Sequence, residues 1–239
     1  MRGKITFIIS LFVFILPLLF LNCSDDDQDA SPLTLAEATH KVLAEVLDND
    51  LDSLLFYRHP NKFTSDTGFG YLYTSEEPDP PYIINEASWF FFIDDLPGAR
   101  WVHPCRWILV PENGGDIEIT DEQWPPEVQL DMLLYYTLDT ATNLVISSII
   151  YDSLDFKDLY YSTSIIAAGV SIGYPSGGSY TAVRDSWFFF IDDHPGLDYA
   201  HPVRYVFVEI WGGETQIYNE QFPPDIQLEM YPEFTAIEP

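Results

Sequence analysis

The chain of 239 residues is 47% hydrophobic and 16% aromatic, enough to bury sizeable cores in one or two domains. Its formal net charge is −28, from 10 Lys and Arg against 38 Asp and Glu. Two of the basic residues, Arg2 and Lys4, stand in an acid-free first stretch, and the others are scattered singly. A field of this sign, with no basic patch, excludes nucleic acid and anionic lipid headgroups as partners. Acidic excess alone makes a solvating surface or a weak Ca²⁺ site, and the first is the ordinary case.

Residues 1–22 read as a signal peptide: a charged start, then an apolar run from Ile5 to Leu21 interrupted by Pro17. The run stops at Cys23, and SDDDQDASP follows at once. This segment resembles a bacterial lipoprotein signal. The usual motif has Leu three places before the cysteine and a small residue just before it; here those places hold Phe20 and Asn22. The resemblance implies lipidation of Cys23, which becomes the mature N-terminus, and attachment to a membrane through that lipid. It places the protein at the outer membrane or cell surface, or facing the periplasm. The Ser24–Asp27 run is similar to the acidic signal that sends some Gram-negative lipoproteins to the surface; otherwise it is a solvated spacer. The alternative for the apolar run is an uncleaved single span, since its length is near the lower limit for crossing a bilayer. Residues 23–32 form an acidic, flexible tether.

A first domain is expected over residues 33–134. Thr34 and Glu37 have the spacing of a capping box. Leu35, Ala38, Val42, Leu43, Val46 and Leu47 then recur at helical spacing through Leu47. Strands are expected at Leu54–Tyr57 and Phe69–Thr74, with a loop over Glu76–Pro81. Trp89–Ile93 is five consecutive large apolar residues, a strand apolar on both faces and therefore covered on both. The helix covers one face. The sheet of a sister domain, or a partner molecule, is expected on the other. Asp94, Asp95, Pro97 and Gly98 supply a turn, and His103 opens the next strand. On it His103, Cys105, Trp107 and Leu109 share one face, and Arg106, Ile108 and Val110 the other. Gly114-Gly115 turns the chain into a third strand at Asp116–Thr120, and Pro125-Pro126 ends the unit.

The chain then repeats itself. The stretch from Ser186 to Met230 aligns with Ser88–Met132 without a gap, and about half the positions are identical. Two tandem copies are the reading, the second over residues 135–239. Thr137-Leu138 and Ala141-Thr142 match the start of the first helix, with Thr140 where Glu37 stood, so its cap is weaker. Leu159–Tyr161 and Ile165–Tyr174 are its expected strands, with a loop at Pro175–Gly178. The poorly matching middles are where two copies of one scaffold would differ in what they bind, with Tyr71, Tyr73, Tyr82, Tyr174 and Tyr180 as contacts where they are exposed; aromatic core is the commoner fate of such residues.

A helix followed by an antiparallel sheet, twice, predicts the α+β class. In order and rhythm each copy resembles PepSY-like or cystatin-like modules, which implies a helix packed on a curled antiparallel sheet.

The recurring polar set is Asp94, Asp95, His103 and Arg106, with Asp192, Asp193, His201 and Arg204. Carboxylates and a histidine at a strand junction can hold a metal or exchange protons. They can equally tie a turn, with Arg pairing Asp, and the arginine argues against a bound cation. The structural reading is favoured. Cys105 has His103 two residues away, but the second copy has Val203 in its place, so the position reads as small and apolar. Glu122 and Glu220 read as surface carboxylates. No catalytic residue, cofactor or metal ligand is assigned. The expected function is that of a cell-envelope lipoprotein whose duplicated domain binds a protein or glycan. The alternatives are an inhibitor of a secreted protease or a prodomain-like chaperone, and a hydrolase using the repeated Asp/His/Arg set.

Overall fold

The computed structural model describes residues 31–51, 53–72, 81–99, 102–150 and 157–231. The leader, Cys23 and the acidic run after it lie outside these, as does Tyr73. Helix α1 (Leu35–Glu45) starts where the capping box puts it. Thr34 Oγ1 accepts from the Glu37 amide at 3.2 Å, and Glu37 accepts from the Thr34 amide at 2.8 Å. It stops short of Leu47, and Asp48 and Asn49 follow in left-handed conformations, which those two residue types tolerate best outside glycine. Helix α2 (Leu138–Leu144) is shorter. Thr137 caps it through Oγ1 alone, and the chain continues as a π-helical segment, Val145–Ile150.

The strands of the first copy are β1 (Leu55–Arg58), β2 (Gly68–Phe69), β3 (Tyr82–Ile83), β4 (Ser88–Asp94), β5 (Cys105–Pro111), β6 (Glu118–Glu122) and β7 (Leu133–Leu134). Those of the second are β8 (Asp158–Tyr161), β9 (Ser171–Gly173), β10 (Ser179–Thr181), β11 (Ser186–Asp192), β12 (Val203–Glu209), β13 (Thr215–Glu220) and β14 (Glu229–Met230). They make two five-stranded antiparallel sheets of matching order, β6-β5-β4-β1-β7 and β13-β12-β11-β8-β14. The pairs β2–β3 and β9–β10 form two small sheets of their own.

This corrects the α+β expectation of a helix balanced against a sheet in each copy. The molecule is mostly β, 36% strand against 16% helical, with two helices and four sheets among the described residues. The physical reason is that both helices are short, 11 and 7 residues, against five-stranded sheets in each copy. Expected strands in those middles shrink, Phe69–Thr74 to Gly68–Phe69 and Ile165–Tyr174 to Ser171–Gly173.

Alternation along the central strand holds. Phe91 and Ile93 are buried with Phe56, Ile108 and Val110 beside Ala38 and Val42 of α1. Phe90 and Phe92 point the other way, with Cys105, Trp107 and Leu109. What covers that second face is not a sister sheet. Phe69, Ile84, Met132 and half-buried Tyr71 and Tyr82 cover it, all from the same copy. The second copy does likewise, Phe188 and Phe190 lying under Ile172, Ala182, Tyr174 and Tyr180. Each middle closes its own sheet, and Tyr71, Tyr82, Tyr174 and Tyr180 are half-buried against the core, the commoner fate of such residues.

The two copies meet along residues 133–136. Tyr135 donates its amide to the Phe56 carbonyl at 2.8 Å, and Tyr136 donates to Ile210 at 2.8 Å. Gly212 donates back to Leu134 at 2.9 Å. Trp211 packs on Phe56 and Tyr135, with centroids 5.6 and 4.9 Å away. No linker intervenes, and the described residues from Pro32 onward form one compact unit.

Candidate functional site

The hairpin after each central strand is tied by the same four side chains. Asp94 Oδ1 accepts the Leu96 amide at 3.0 Å and lies 3.1 Å from His103 Nε2. Arg106 grips Asp95 through Nε and Nη2, the closest approach 2.6 Å. In the second copy Asp192 Oδ1 accepts the His194 amide at 2.9 Å and meets His201 Nε2 at 2.9 Å. Arg204 forks onto Asp193 at 2.9 and 2.7 Å, and its Nη1 donates to the Ile149 carbonyl at 3.0 Å. The set is brought together as two adjacent pairs, aspartate with histidine and aspartate with arginine. A bidentate arginine–carboxylate pair fixes geometry well. Each carboxylate is thus committed to holding the loop.

His201 faces two oxygen acceptors, the Tyr199 carbonyl at 2.6 Å from Nδ1 and Asp192 at Nε2. Only the imidazolium can donate to both. Its pKa is accordingly raised, chiefly by the bond to the Tyr199 backbone and then by Asp192, with burial opposing.

Other residues singled out in the sequence are structural in their surroundings. Cys105 is buried, its thiol 3.2 Å from the Trp124 carbonyl, and burial with nearby carboxylates pushes its pKa up to about 12. Such a thiol is a poor nucleophile. Glu122 and Glu220, expected at the surface, each accept a tyrosine hydroxyl at 3.2 Å, from Tyr71 and Tyr180. Trp107 Nε1 donates to the Trp124 carbonyl at 3.1 Å, and its counterpart Tyr205 donates to the matching Phe222 carbonyl at 2.9 Å.

The second copy also carries an open cleft of about 560 Å³. Its aromatic lining comes from Tyr160, Phe190, Tyr199 and Phe222, contributed by β8, β11, the hairpin loop and the stretch after β13. Tyr199 is 68% exposed, and Leu197 and Ile226 are exposed beside it. Asp192, Asp198 and His201 are the charged and titratable lining groups besides Tyr160 and Tyr199. Below Tyr160, whose hydroxyl reaches Asp158 at 3.3 Å, burial and the charge on Asp192 raise the Asp158 pKa. A concave, largely apolar wall with a few placed polar groups is the usual form of a binding site. The sequence reading missed it, because its lining is spread from Tyr160 to Leu228.

A smaller pocket, about 250 Å³, lies at the junction of the copies. Arg58 lies over the Trp211 ring at 4.0 Å with its Nε buried and unpartnered, and burial lowers its pKa to about 10. Arg184 stands 3.4 Å from Glu209, and Asp185 accepts the Ala168 amide at 2.8 Å. Two arginines and two carboxylates balance there.

Among the described residues, no group of three or more His, Cys, Asp or Glu is placed to hold a metal ion. No protein-family model, curated protein or solved structure matches the chain.

Proposed function

We propose that the protein is a cell-envelope lipoprotein, held by lipid on Cys23, whose duplicated domain binds a protein or glycan and catalyses no reaction. The signal segment supports the location, and the open cleft of the second copy carries the binding half of the reading. A hydrolase built on the Asp/His/Arg set is less favoured, because in each copy these side chains are bonded to one another within the hairpin, Asp94 with His103 and Asp95 with Arg106, Asp192 with His201 and Asp193 with Arg204. The inhibitor or chaperone reading rested on the helix-on-sheet layout, which the mostly β architecture removes.

Intact mass of the membrane-extracted protein, with protease added to whole cells, tests the location. A chain beginning at acylated Cys23 and cut from outside is the expected result. A full-length, unacylated chain, or complete protection, would contradict surface anchoring.

A further inference from the structure

We propose that the cleft of the second copy receives a lysine- or arginine-bearing peptide segment of a partner protein, the cation flanked by apolar residues. This rests on the cleft being a binding site and names its ligand class. Three observations support it.

First, the lining is rich in aromatic rings: Tyr160, Phe190, Tyr199 and Phe222 border the space, with Tyr160 and Phe190 5.6 Å apart. Ring faces attract cations most strongly when water is partly excluded. Second, the fixed charge of the lining is acidic. His201 offsets Asp192, and Asp198, exposed on the loop, keeps a carboxylate at the mouth. Among the described residues, no lysine or arginine lines the cleft to oppose it. Third, the whole chain carries −28, a field that concentrates cationic partners and repels anionic ones. The apolar remainder, Leu197, Val203, Ile226 and Leu228, suits the stem of a long cationic side chain and its neighbours. A volume of about 560 Å³ holds a side chain with parts of two flanking residues, not a folded domain.

Charge decides against a neutral glycan as the better occupant, though a sugar ring could stack on Tyr199. It decides more strongly against a phosphorylated or carboxylated ligand.

The test measures fluorescence anisotropy of labelled tripeptides, a central lysine between two leucines and its glutamate counterpart, together with competition by maltotriose. The protein runs from Cys23→Ser onward, with Tyr199→Ala and Asp198→Asn compared against it. The lysine peptide should bind, weaken at least tenfold in Tyr199→Ala, and weaken severalfold in Asp198→Asn; the glutamate peptide should bind at least tenfold more weakly. Equal binding of both peptides, or displacement by maltotriose at lower concentration than by unlabelled lysine peptide, with Tyr199→Ala still abolishing it, overturns the cationic ligand and leaves the cleft as a site. Binding that falls with salt but ignores Tyr199→Ala is adhesion to the acidic surface, and overturns both. No binding by any probe overturns the cationic ligand, and near-ultraviolet circular dichroism confirms that the variants are folded.

Discussion

The two copies are built on one plan and diverge at the turn before the paired glycines, at the end of the unit and in the middle. In both, a central SWFFFID strand is buried on its two faces, and a tryptophan, Trp89 or Trp187, donates its indole N–H to the chain entering the helix. In both, an Asp–His and an Asp–Arg pair tie the following hairpin. The turn before the paired glycines separates them. In the first copy Asn113 occupies it, accepting the Gly115 amide at 2.9 Å. In the second copy Trp211 stands at that place and packs into the first copy. The end of the unit differs as well. Residues Glu127–Asp131 wind into a 3₁₀ helix that brings Val128 onto the core, whereas Ile226, the matching residue, lines the open cleft. The middle of the first copy is also stitched more firmly to this stretch. Leu72 donates to Pro125 at 3.0 Å and Glu127 to Gly70 at 2.9 Å, while in the second copy Asp225 to Gly173 is the corresponding bond. Duplication kept the frame, and the open cleft described above lies in the second copy.

The largest effect expected from disturbing what the copies share is at the central strand. Phe90→Asp and Phe188→Asp each bury an unpaired carboxylate at a fully covered site, and each should cost more than about 4 kcal/mol, with loss of the near-ultraviolet signal. Comparable stability in either variant would show that the middle segments do not close the second face.

Trp211→Asn gives the second copy the residue of the first. It removes the ring from Phe56, Tyr135 and Arg58 and should cost ~3 kcal/mol in urea unfolding, with a split into two transitions as the copies uncouple. A single transition at unchanged midpoint would break the comparison at its clearest point. The helix starts allow a smaller exchange in the other direction. Thr140→Glu restores to α2 the carboxylate that Glu37 gives α1, and should stabilise the second copy by ~0.5 kcal/mol, while Thr34→Ala should cost about 1 kcal/mol.

The smallest effect is one of pH. The folded-state pKa of His201 lies above the usual value because it gains two acceptors, Asp192 and the Tyr199 carbonyl, with Asp158 and Asp198 as further acids near the pair. Its stabilising contribution is therefore fully present below about pH 6.5 and fades as pH rises through the folded pKa. Histidine NMR titration should place the His201 midpoint above 6.5, and Asp192→Asn should bring it back down. A midpoint at or below 6.5 would mean that the imidazolium is not the form held in the loop.

Much of this was legible in the sequence, for reasons particular residues show. Thr34 with Glu37 marked the helix start to the residue. The alternation of Phe90 and Phe92 against Phe91 and Ile93 gave both faces of the central strand, because strand periodicity survives any tertiary context. The α+β class was wrong because it weighed the two helices, whose apolar stripes are conspicuous, above strands of two or three residues such as Gly68–Phe69 and Tyr82–Ile83. Strands that short have no period to read, so the cover of the second face was looked for in a sister sheet. Trp211 stands in a glycine turn where the other copy has asparagine, but the sequence reading passed over that mismatch, and its packing between the copies emerged only with the fold. The cleft had no such local sign, since it is formed by four separated stretches that only the fold assembles.

The most direct test of the division between the copies is amide chemical-shift mapping of the folded protein during titration with the lysine tripeptide. The account predicts perturbations over residues 192–201 and 221–228, saturating together, with the matching positions 94–103 and 123–130 unmoved. Equal perturbation of the two copies, or shifts confined to residues away from the cleft, would contradict it.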